Sequence, residues 1–247
     1  MSTILKVDNL VKHFGGIVAT DQLSLDIERG EIHALIGPNG AGKTTLVTQL
    51  SGMMQPDSGT VEFDGQDITR LSTAQRSQLG MARSFQITSV LPNFTALANV
   101  AMAVQSRAGH SFRFWRAAEN DPALITPARE MLEKVGLGGG AETLAANLAH
   151  GEQRQLELAM VLATQPKLLL LDEPTAGMGP EDSAWTASFL NQLKGEYSIL
   201  LIEHDMDTVF TVADRITVLV YGRAIATGTP EEIRNNPEVR NAYLGDE

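Results

Sequence analysis

The first part of the chain is dominated by positions that alternate between apolar and polar side chains. Residues 3–8 and 22–27 both alternate in this way, which predicts two antiparallel strands with a turn at 14–16 between them. Shorter patterns predict a strand at 60–63, a short helix at 74–79 and a strand at 82–85. The first third of the chain is therefore predicted to be mixed β structure.

The pattern becomes helical between about residues 87 and 144. Apolar positions at helical spacing predict helices at 97–104 and 127–135. Pro127 suits the first position of the second helix, because the missing N–H of proline is not needed there. We therefore expect a helical lobe at about 87–144.

Buried strands and helices alternate in the last part of the chain. The predicted strands lie at 167–171, 198–202 and 215–220, and the predicted helices at 152–163, 181–193, 230–235 and 237–244. Strands that alternate with helices predict a parallel sheet, so the fold class is α/β. Residues 1–86 and 145–247 would form the α/β core of a single domain, 1–247, into which the helical lobe is inserted.

One stretch combines a strand, a glycine-rich loop and a helix. Residues 32–36 are an apolar run, residues 37–44 match G-x-x-x-x-G-K-[ST] without a mismatch, and residues 45–50 open a helix. This pattern is typical of a loop that binds nucleotide phosphates. A glycine-rich turn with a solvated lysine is the alternative, which the length of the match and its flanking elements disfavour.

The residue types in this loop suit a polyphosphate. Gly40 and Gly42 let the backbone approach the phosphates, and amides at the start of the helix point at them. Lys43 would bridge the β- and γ-phosphates, and the Thr44 hydroxyl would ligate Mg²⁺. The residues of this stretch predicted to contact nucleotide are Gly37, Asn39, Gly40, Ala41, Gly42, Lys43, Thr44 and Thr45.

Two carboxylates follow the apolar run at 168–171. Asp172, at the end of this predicted strand, is placed to hold Mg²⁺ directly or through water. Glu173 could orient and deprotonate an attacking water molecule. Taken alone, the pair could instead be structural carboxylates that cap a strand.

Composition excludes several classes of site. The 247 residues carry a formal net charge of −11 and include no cysteine. Disulfides, thiolate metal sites and cysteine nucleophiles are therefore excluded, and a general nucleic-acid-binding face is disfavoured. No apolar run approaches the ~18 residues of a membrane span, and the N-terminus lacks a secretory signal. We expect a cytoplasmic protein that reaches the membrane only through partners.

Further motifs make the chain resemble a known family along essentially its whole length. Phe85-Gln86, residues 148–153 (LAHGEQ), residues 176–179 (AGMG) and His204 accompany the phosphate loop and the acidic pair. In this order they resemble the glutamine loop, signature, D-loop and switch histidine of ATP-binding cassette (ABC) transporter ATPases. The resemblance implies a P-loop NTPase ABC ATPase fold with an antiparallel β subdomain and an inserted α-helical lobe.

The resemblance also implies cofactors and roles. The cofactors are ATP and Mg²⁺, with the Phe14 ring stacked on adenine. Gln86 would sense the γ-phosphate and Mg²⁺, and His204 would contact the γ-phosphate. The signature would complete the ATP pocket of a partner subunit, in a head-to-tail dimer around two ATP molecules.

The signature and the D-loop depart from the family pattern. Amides around Ala149, Gly151 and Glu152 would form the anion site offered to the partner's ATP. Ala149 replaces the signature serine, Glu152 the usual glutamine, and Gly179 an aspartate or asparagine of the D-loop. The polar side chains lost at Ala149 and Gly179 would weaken the pocket of the partner; the alternative is that the neighbouring amides or water compensate for their loss.

Several features resemble one branch of the family, the ATPases of importers for branched-chain amino acids, urea and amides. His150 in the signature is one of them. The others are residues 14–16 (FGG), 114–116 (FWR), 203–206 (EHDM), 228–233 (GTPEEI) and 242–245 (AYLG).

Residues 105–118 carry three arginines, two phenylalanines and a tryptophan. The segment is either an exposed helix or loop whose aromatic rings pack locally, or a contact surface for another protein or for lipid headgroups. Arginine and aromatic side chains are enriched among interface anchors. We expect this segment and Gln86 to face a membrane permease.

The leading hypothesis is the ATP-binding and hydrolysing subunit of an importer for a small polar solute, branched-chain amino acids or a related compound. Its partners would be a second ATPase subunit, identical or different, membrane permease subunits and, indirectly, a solute-binding protein. It would lie in the cytoplasm, peripheral to the inner face of the cell membrane. The alternative is an ATPase that extracts or moves envelope lipid or lipopolysaccharide. A soluble ABC protein acting on DNA or the ribosome is disfavoured by the charge of −11.

Overall fold

The computed structural model describes residues 2–83, 90–107 and 121–244. The chain divides into two compact units, one formed by 1–83 with 167–247 and the other by 84–166. In chain order the strands and helices are β1 (Thr3–Phe14), β2 (Ile17–Glu28), β3 (Ile32–Ile36), α1 (Lys43–Leu50), β4 (Ser58–Phe63), β5 (Gln66–Asp67), α2 (Thr73–Leu79), β6 (Met81–Arg83), α3 (Ala96–Arg107), α4 (Pro122–Lys134), α5 (His150–Ala163), β7 (Leu168–Asp172), α6 (Pro180–Leu193), β8 (Ser198–Ile202), α7 (Met206–Val212), β9 (Arg215–Val220), β10 (Arg223–Gly228), α8 (Pro230–Asn235) and α9 (Pro237–Val239).

The first unit contains two sheets. Strands β2-β1-β4-β5 form an antiparallel sheet, and the hairpin of β1 and β2 is longer than the two strands predicted from alternation. The second sheet has the order β10-β9-β3-β8-β7-β6, in which all neighbours are parallel except β10 and β9. The predicted α/β class with a parallel sheet is therefore confirmed.

Helix α1 packs into a core that it shares with both sheets. Its apolar side chains Leu46, Val47 and Leu50 are fully buried, in one cluster with apolar residues of β1, β2, β3, β7 and β8. The loop that precedes α1 is therefore fixed at one end by β3 and at the other by a buried helix.

The order of the parallel strands decides which loops meet. Strands β3, β8 and β7 are adjacent and parallel, with Leu35 paired to Ile202 and Ile202 paired to Asp172. Their carboxyl ends therefore lie at one edge of the sheet, where α/β proteins bind ligands. The loops that follow these three strands contain the phosphate loop, Glu173 and His204.

The second unit consists mainly of α3, α4 and α5, which pack on one another. The unit reaches further along the chain than the predicted lobe at about 87–144, because α5 packs against α3 and α4. The predicted contact segment 105–118 lies outside the described residues from position 108 onward, and Gln86 lies outside them as well.

The prediction that a helix begins at Pro127 is wrong. Helix α4 begins at Pro122, and Pro127 lies inside it. The Asp121 side chain accepts a hydrogen bond from the N–H of Ala123 at 3.0 Å, so the pair 121–122 supplies both an N-cap and a proline at the first helical position. The interior proline removes one backbone hydrogen bond of this helix.

Other helix ends also differ from the sequence prediction. Helix α5 begins at His150, two residues before the predicted start at Glu152, and the predicted helix 237–244 is divided. Its first part is α9, and residues Arg240–Leu244 form a π-helical turn.

A buried arginine holds the C-terminus of α1. Arg76 is 1% exposed, and its guanidinium donates to the carbonyl oxygens of Gln49 at 2.8 Å and Leu50 at 2.7 Å. It also donates to the carbonyl oxygens of Thr69 and Leu71. The last carbonyls of a helix lack their usual partners within the helix. Arg76 bonds two of them, that of Leu50 and that of Gln49, which also accepts from the N–H of Gly52 at 3.1 Å. Burial lowers the pKa of Arg76 to about 10, which leaves the guanidinium charged at neutral pH.

We predict that Arg76→Leu lowers the free energy of unfolding by several kcal/mol, because each buried carbonyl that loses its donor costs about 1–3 kcal/mol. The measurement is urea denaturation of the purified protein. Arg70→Leu is the matched control, because Arg70 is exposed on the same part of the chain. Equal effects of the two substitutions would contradict a special role for Arg76.

Candidate functional site

The phosphate loop is packed so closely that two of its positions have no space for a side chain. A Cβ atom on Gly37 would lie 2.0 Å from the carbonyl oxygen of Leu219, and one on Gly42 would lie 2.2 Å from that of Ala19. Both glycines have positive φ, 151° and 105°. Gly40 has space around it, and its φ of 79° is the reason for glycine there. The sequence pattern is therefore matched by a loop that is tightly packed at Gly37 and Gly42 and exposed at Asn39 and Gly40.

The loop leads directly into the N-terminus of α1. The N-cap is Gly42, whose lack of a side chain leaves the first amides of the helix without a side-chain acceptor. These amides have no acceptor within the helix either, and they lie at the positive end of its dipole. The arrangement fits an anionic group such as a phosphate.

Lys43 reaches back over this loop. Its ammonium group donates to the carbonyl oxygens of Gly37 at 2.6 Å and Pro38 at 3.0 Å. Burial lowers the pKa of Lys43, and the negative charges of Glu173 and Asp172 partly offset this effect. The cation of the phosphate loop is thus within the field of the two carboxylates after β7.

Asp172 is the last residue of β7, and its side chain is only 9% exposed. Its Oδ2 atom accepts a hydrogen bond from Nη2 of Arg83 at 3.0 Å. Arg83 ends β6, the strand next to β7, and its side chain is 15% exposed. Sequence analysis missed Arg83; the usable signal was a charged residue inside the short strand predicted at 82–85.

Glu173 has a backbone conformation that residues other than glycine rarely adopt. Its φ is 50°, and its N–H donates to the carbonyl oxygen of Ile202, the last residue of β8, at 2.8 Å. Its Oε1 atom lies 3.9 Å from Nδ1 of His204, the second residue after β8. Both side chains are partly exposed, 32% for Glu173 and 61% for His204. The structure therefore brings together two residues that are 31 positions apart in the sequence.

Glu203 is a further residue at this edge that sequence analysis did not assign a role. It follows β8 directly and is fully buried. Its carboxylate accepts hydrogen bonds from Thr175, after Glu173, and from the backbone of His204. The usable signal was an acidic residue immediately after four apolar ones, 199–202.

The remaining predicted nucleotide-binding residues of the first unit lie on β1, on the phosphate loop and at the start of α1. Phe14 ends β1 with an exposed ring, and the Lys12 ammonium lies 5.9 Å from the ring centroid. Thr44 and Thr45 are in the first turn of α1, and Asn39 is exposed on the loop. Gln86 is not among the described residues.

The predicted signature residues lie in the second unit, at the start of α5. Ala149 is the N-cap of this helix and has no side-chain oxygen to cap it. The carboxylate of Glu152 accepts a hydrogen bond from the N–H of Ala149 at 2.8 Å, which is half of a capping box. In the first unit Gly179 is the N-cap of α6 and likewise makes no side-chain cap. The departures from the family pattern at Ala149 and Gly179 are therefore both at helix N-cap positions.

The oxygen donors at this edge fit Mg²⁺ bound together with phosphates. Thr44 supplies a hydroxyl and Asp172 a carboxylate, and Mg²⁺ is usually held by one or two carboxylates plus substrate phosphate oxygens. When bound, Mg²⁺ neutralises charge on those phosphates. In residues 2–83, 90–107 and 121–244, no three His, Cys, Asp or Glu side chains are grouped as a metal site. None of the helices in these ranges is long and apolar enough to cross a membrane.

Two family models match the chain. The model described as "ABC transporter" matches residues 20–176, which is more than half of the sequence. The model described as "Branched-chain amino acid ATP-binding cassette transporter" matches residues 225–247.

Similar proteins align along nearly the whole chain. The high-affinity branched-chain amino acid transport ATP-binding protein LivG of Escherichia coli (strain K12) is 39% identical over 252 residues, which cover 98% of each chain. The corresponding protein BraF of Pseudomonas aeruginosa is 37% identical with the same coverage. A solved structure, the ADP conformation of MJ1267, an ATP-binding cassette of an ABC transporter, is 29% identical, has a TM-score of 0.87 and covers 100% of both chains. These similarities confirm the predicted fold, and they show that the chain belongs to the family of ABC transporter ATP-binding proteins.

Proposed function

We propose that this chain is the ATP-binding and hydrolysing subunit of an importer for branched-chain amino acids or a related small polar solute. The observation that carries the ATPase assignment is the meeting of the phosphate loop, Asp172, Glu173 and His204 at one edge of a parallel sheet. The solute class is supported by the names of the relatives and by the match at 225–247. The alternative of a lipid-moving ATPase is not favoured by these relatives.

Each residue at the site has a proposed role. Lys43 binds the β- and γ-phosphates, Thr44 and Asp172 hold Mg²⁺, and Phe14 stacks on adenine. Glu173 is the general base that takes a proton from the attacking water. His204, whose ring lies 3.9 Å from the Glu173 carboxylate, contacts the γ-phosphate. Gln86 is proposed, from the sequence alone, to sense the γ-phosphate and Mg²⁺.

The proposed partners are a second ATPase subunit, membrane permease subunits and, indirectly, a solute-binding protein. The chain would lie on the cytoplasmic face of the cell membrane through the permease. In the head-to-tail dimer, the start of α5 would contact the ATP held by the partner. The dimer is supported by a solved ATP-binding cassette of the same fold that is described as dimeric.

We propose that the permease contacts the helical unit at a groove between α3 and α4. The groove has a volume of about 790 Å³ and is lined largely by apolar side chains, including Phe94, Leu97, Ala101, Leu124 and Leu144. Phe94 is 47% exposed and Leu144 is 43% exposed, so the groove offers apolar surface to a partner.

Glu173→Gln should reduce ATP turnover by about 10²–10⁴-fold, the usual contribution of a general base, and leave nucleotide affinity unchanged. The substitution keeps the shape of the side chain and does not alter the phosphate loop. Turnover and ATP affinity would be measured in the assembled transporter. Glu181→Gln, on the exposed first turn of α6, is the matched control. Turnover within a factor of a few of the unaltered protein would reject the role of Glu173.

Arg83→Met should destabilise the nucleotide-free protein, and Mg²⁺ with ADP should restore more stability to this variant than to the unaltered protein. The reason is that Asp172 loses the cation that compensates its largely buried charge, and Mg²⁺ supplies another. The melting temperature would be measured with ADP in excess Mg²⁺ and with ADP in a chelator.

The matched comparison for Arg83 is a double-mutant cycle. Adding Asp172→Asn to Arg83→Met removes the uncompensated carboxylate, so the additional stabilisation by Mg²⁺ should disappear. An equal response to Mg²⁺ in all four proteins would contradict a shared charge interaction at Asp172.

A further prediction concerns the two helix N-caps that lack a side-chain oxygen, Ala149 and Gly179. A serine hydroxyl bonded to a charged phosphate contributes roughly 1.5–3 kcal/mol, so the pocket facing Ala149 should be weaker by about 10- to 100-fold. In a heterodimer with an ATPase that has a full signature, loss of Glu173 should reduce turnover much more than loss of the partner's glutamate. Equal losses, or evidence that the chain works only as a homodimer, would contradict this asymmetry.

The substitution Ala149→Ser separates the effect of the missing N-cap oxygen on the stability of α5 from its effect on ATP turnover. It should stabilise α5 by about 1 kcal/mol in the isolated chain through ordinary N-capping. In the heterodimer it should also raise turnover when Glu173 is replaced by glutamine, because only the pocket facing Ala149 is then active. Stabilisation without any gain in turnover would mean that the position matters only for the helix.

A further inference from the structure

The carboxylate of Glu203 joins the loop that follows β7 to the loop that follows β8. Its Oε1 atom accepts hydrogen bonds from the N–H of Thr175, at 2.9 Å, and from the Thr175 hydroxyl. Its Oε2 atom accepts one from the N–H of His204, at 3.0 Å, and a longer one from the N–H of Asp205, at 3.5 Å. Glu203 has no exposed surface, so both oxygens are committed to these two loops.

The loop held by Oε1 contains a residue in an unfavourable backbone conformation. Glu173 has a φ of 50°, in the left-handed region that favours glycine. Its own N–H is bound to the end of β8, and Thr175, two residues later, is bound to Glu203. Such a conformation persists only where the surrounding structure fixes it. The two attachments, one on each side of the Glu173 side chain, provide that restraint.

The chemistry of the contact requires a carboxylate. Three N–H groups and one hydroxyl converge on two oxygens, and an ionised carboxylate is a group that only accepts. A glutamine in this position would direct an NH₂ group at the backbone N–H of either Thr175 or His204. One of the two loops would then lose its attachment.

We propose that Glu203 is a positioning residue for ATP hydrolysis. It holds Glu173 in its left-handed conformation and fixes the distance of 3.9 Å between Oε1 of Glu173 and Nδ1 of His204. It touches neither the nucleotide nor the reacting water. The inference rests on the proposed roles of Glu173 and His204, and goes beyond them by identifying what sets their separation.

The test is Glu203→Gln in the assembled transporter. Turnover should fall by about 10- to 100-fold, the effect of losing a hydrogen bond to a charged group. The KM for ATP should stay within about twofold, because the carboxylate of Glu203 binds Thr175, His204 and Asp205, whereas Lys43 binds carbonyls of its own loop. Thr175→Ser keeps both donors to Glu203 and should be nearly fully active, whereas Thr175→Val loses the hydroxyl and should have intermediate turnover. If Glu203→Gln does not fold, the comparison of Thr175→Ser with Thr175→Val still tests the inference.

The double variant with Glu173→Gln distinguishes positioning from a general structural defect. If Glu203 acts through Glu173, Glu203→Gln should cause no further loss of turnover once Glu173 is already glutamine. A further loss of 10-fold or more in the double variant would overturn the inference. Full turnover of Glu203→Gln, with Glu173→Gln inactive, would overturn it as well. Full turnover of Glu173→Gln would instead reject the proposed role of Glu173, and the inference would fall with it.

Discussion

Close backbone packing around the phosphate loop is the constraint on which the site depends. Strands β2 and β9 pack against one side of the loop. This packing leaves the amides on the other side available to an anion. The contacts are short enough that a Cβ on Gly37 or Gly42 would overlap a carbonyl oxygen. The two glycines are therefore required by the neighbouring strands as much as by any ligand. A loop defined by its packing has a fixed direction for its amides before a phosphate arrives, which is the condition for electrostatic preorganisation.

Two buried charged side chains, Arg76 and Glu203, stabilise the elements around this loop. Each is hydrogen-bonded mainly to backbone groups and not to a side chain of opposite charge. Arg76 binds carbonyl oxygens at the end of α1, and Glu203 binds amides in the loops after β7 and β8. A cation suits the negative end of a helix, and a carboxylate suits converging N–H groups. In both cases the charge connects segments that are distant in sequence. Substitution of either would leave several backbone groups unpaired at once, so each holds more than one segment.

The sequence was sufficient for buried strands that are mainly apolar. Strands β3, β8 and β9 have the predicted bounds, because each is a short apolar run between turn residues. Strand β10 was not predicted, since it lies half-exposed at the edge of the sheet and has no apolar run. The start of α4 was misplaced because a proline in a helical pattern was interpreted as a first residue, although Asp121 and Pro122 carry the true start signal.

The candidate site was only partly predictable for a different reason. The loop residues, Asp172 and Glu173 are contiguous with apolar strands, so local pattern identifies them. Arg83 and Glu203 act through contacts with residues 89 and 28 positions away. No local pattern specifies such pairs, because they depend on the order of strands in the sheet. Only the neighbour relations β6-β7 and β7-β8 bring these side chains together.

The solvent exposure of each side chain at the carboxyl edge of the parallel sheet agrees with its proposed role. Glu173 and His204 are 32% and 61% exposed, as groups that contact water and nucleotide must be. Glu203 is fully buried, and the side chains of Asp172 and Arg83 are largely so, which fixes their rotamers through packing and hydrogen bonds. An exposed carboxylate alone would sample several positions, and catalysis needs it within a fraction of an ångström of one. In this protein the exposed Glu173 has a strained backbone, and the buried Glu203 holds that backbone in place. The position of Glu173 is then set by its main chain, and its side chain remains free to meet the substrate.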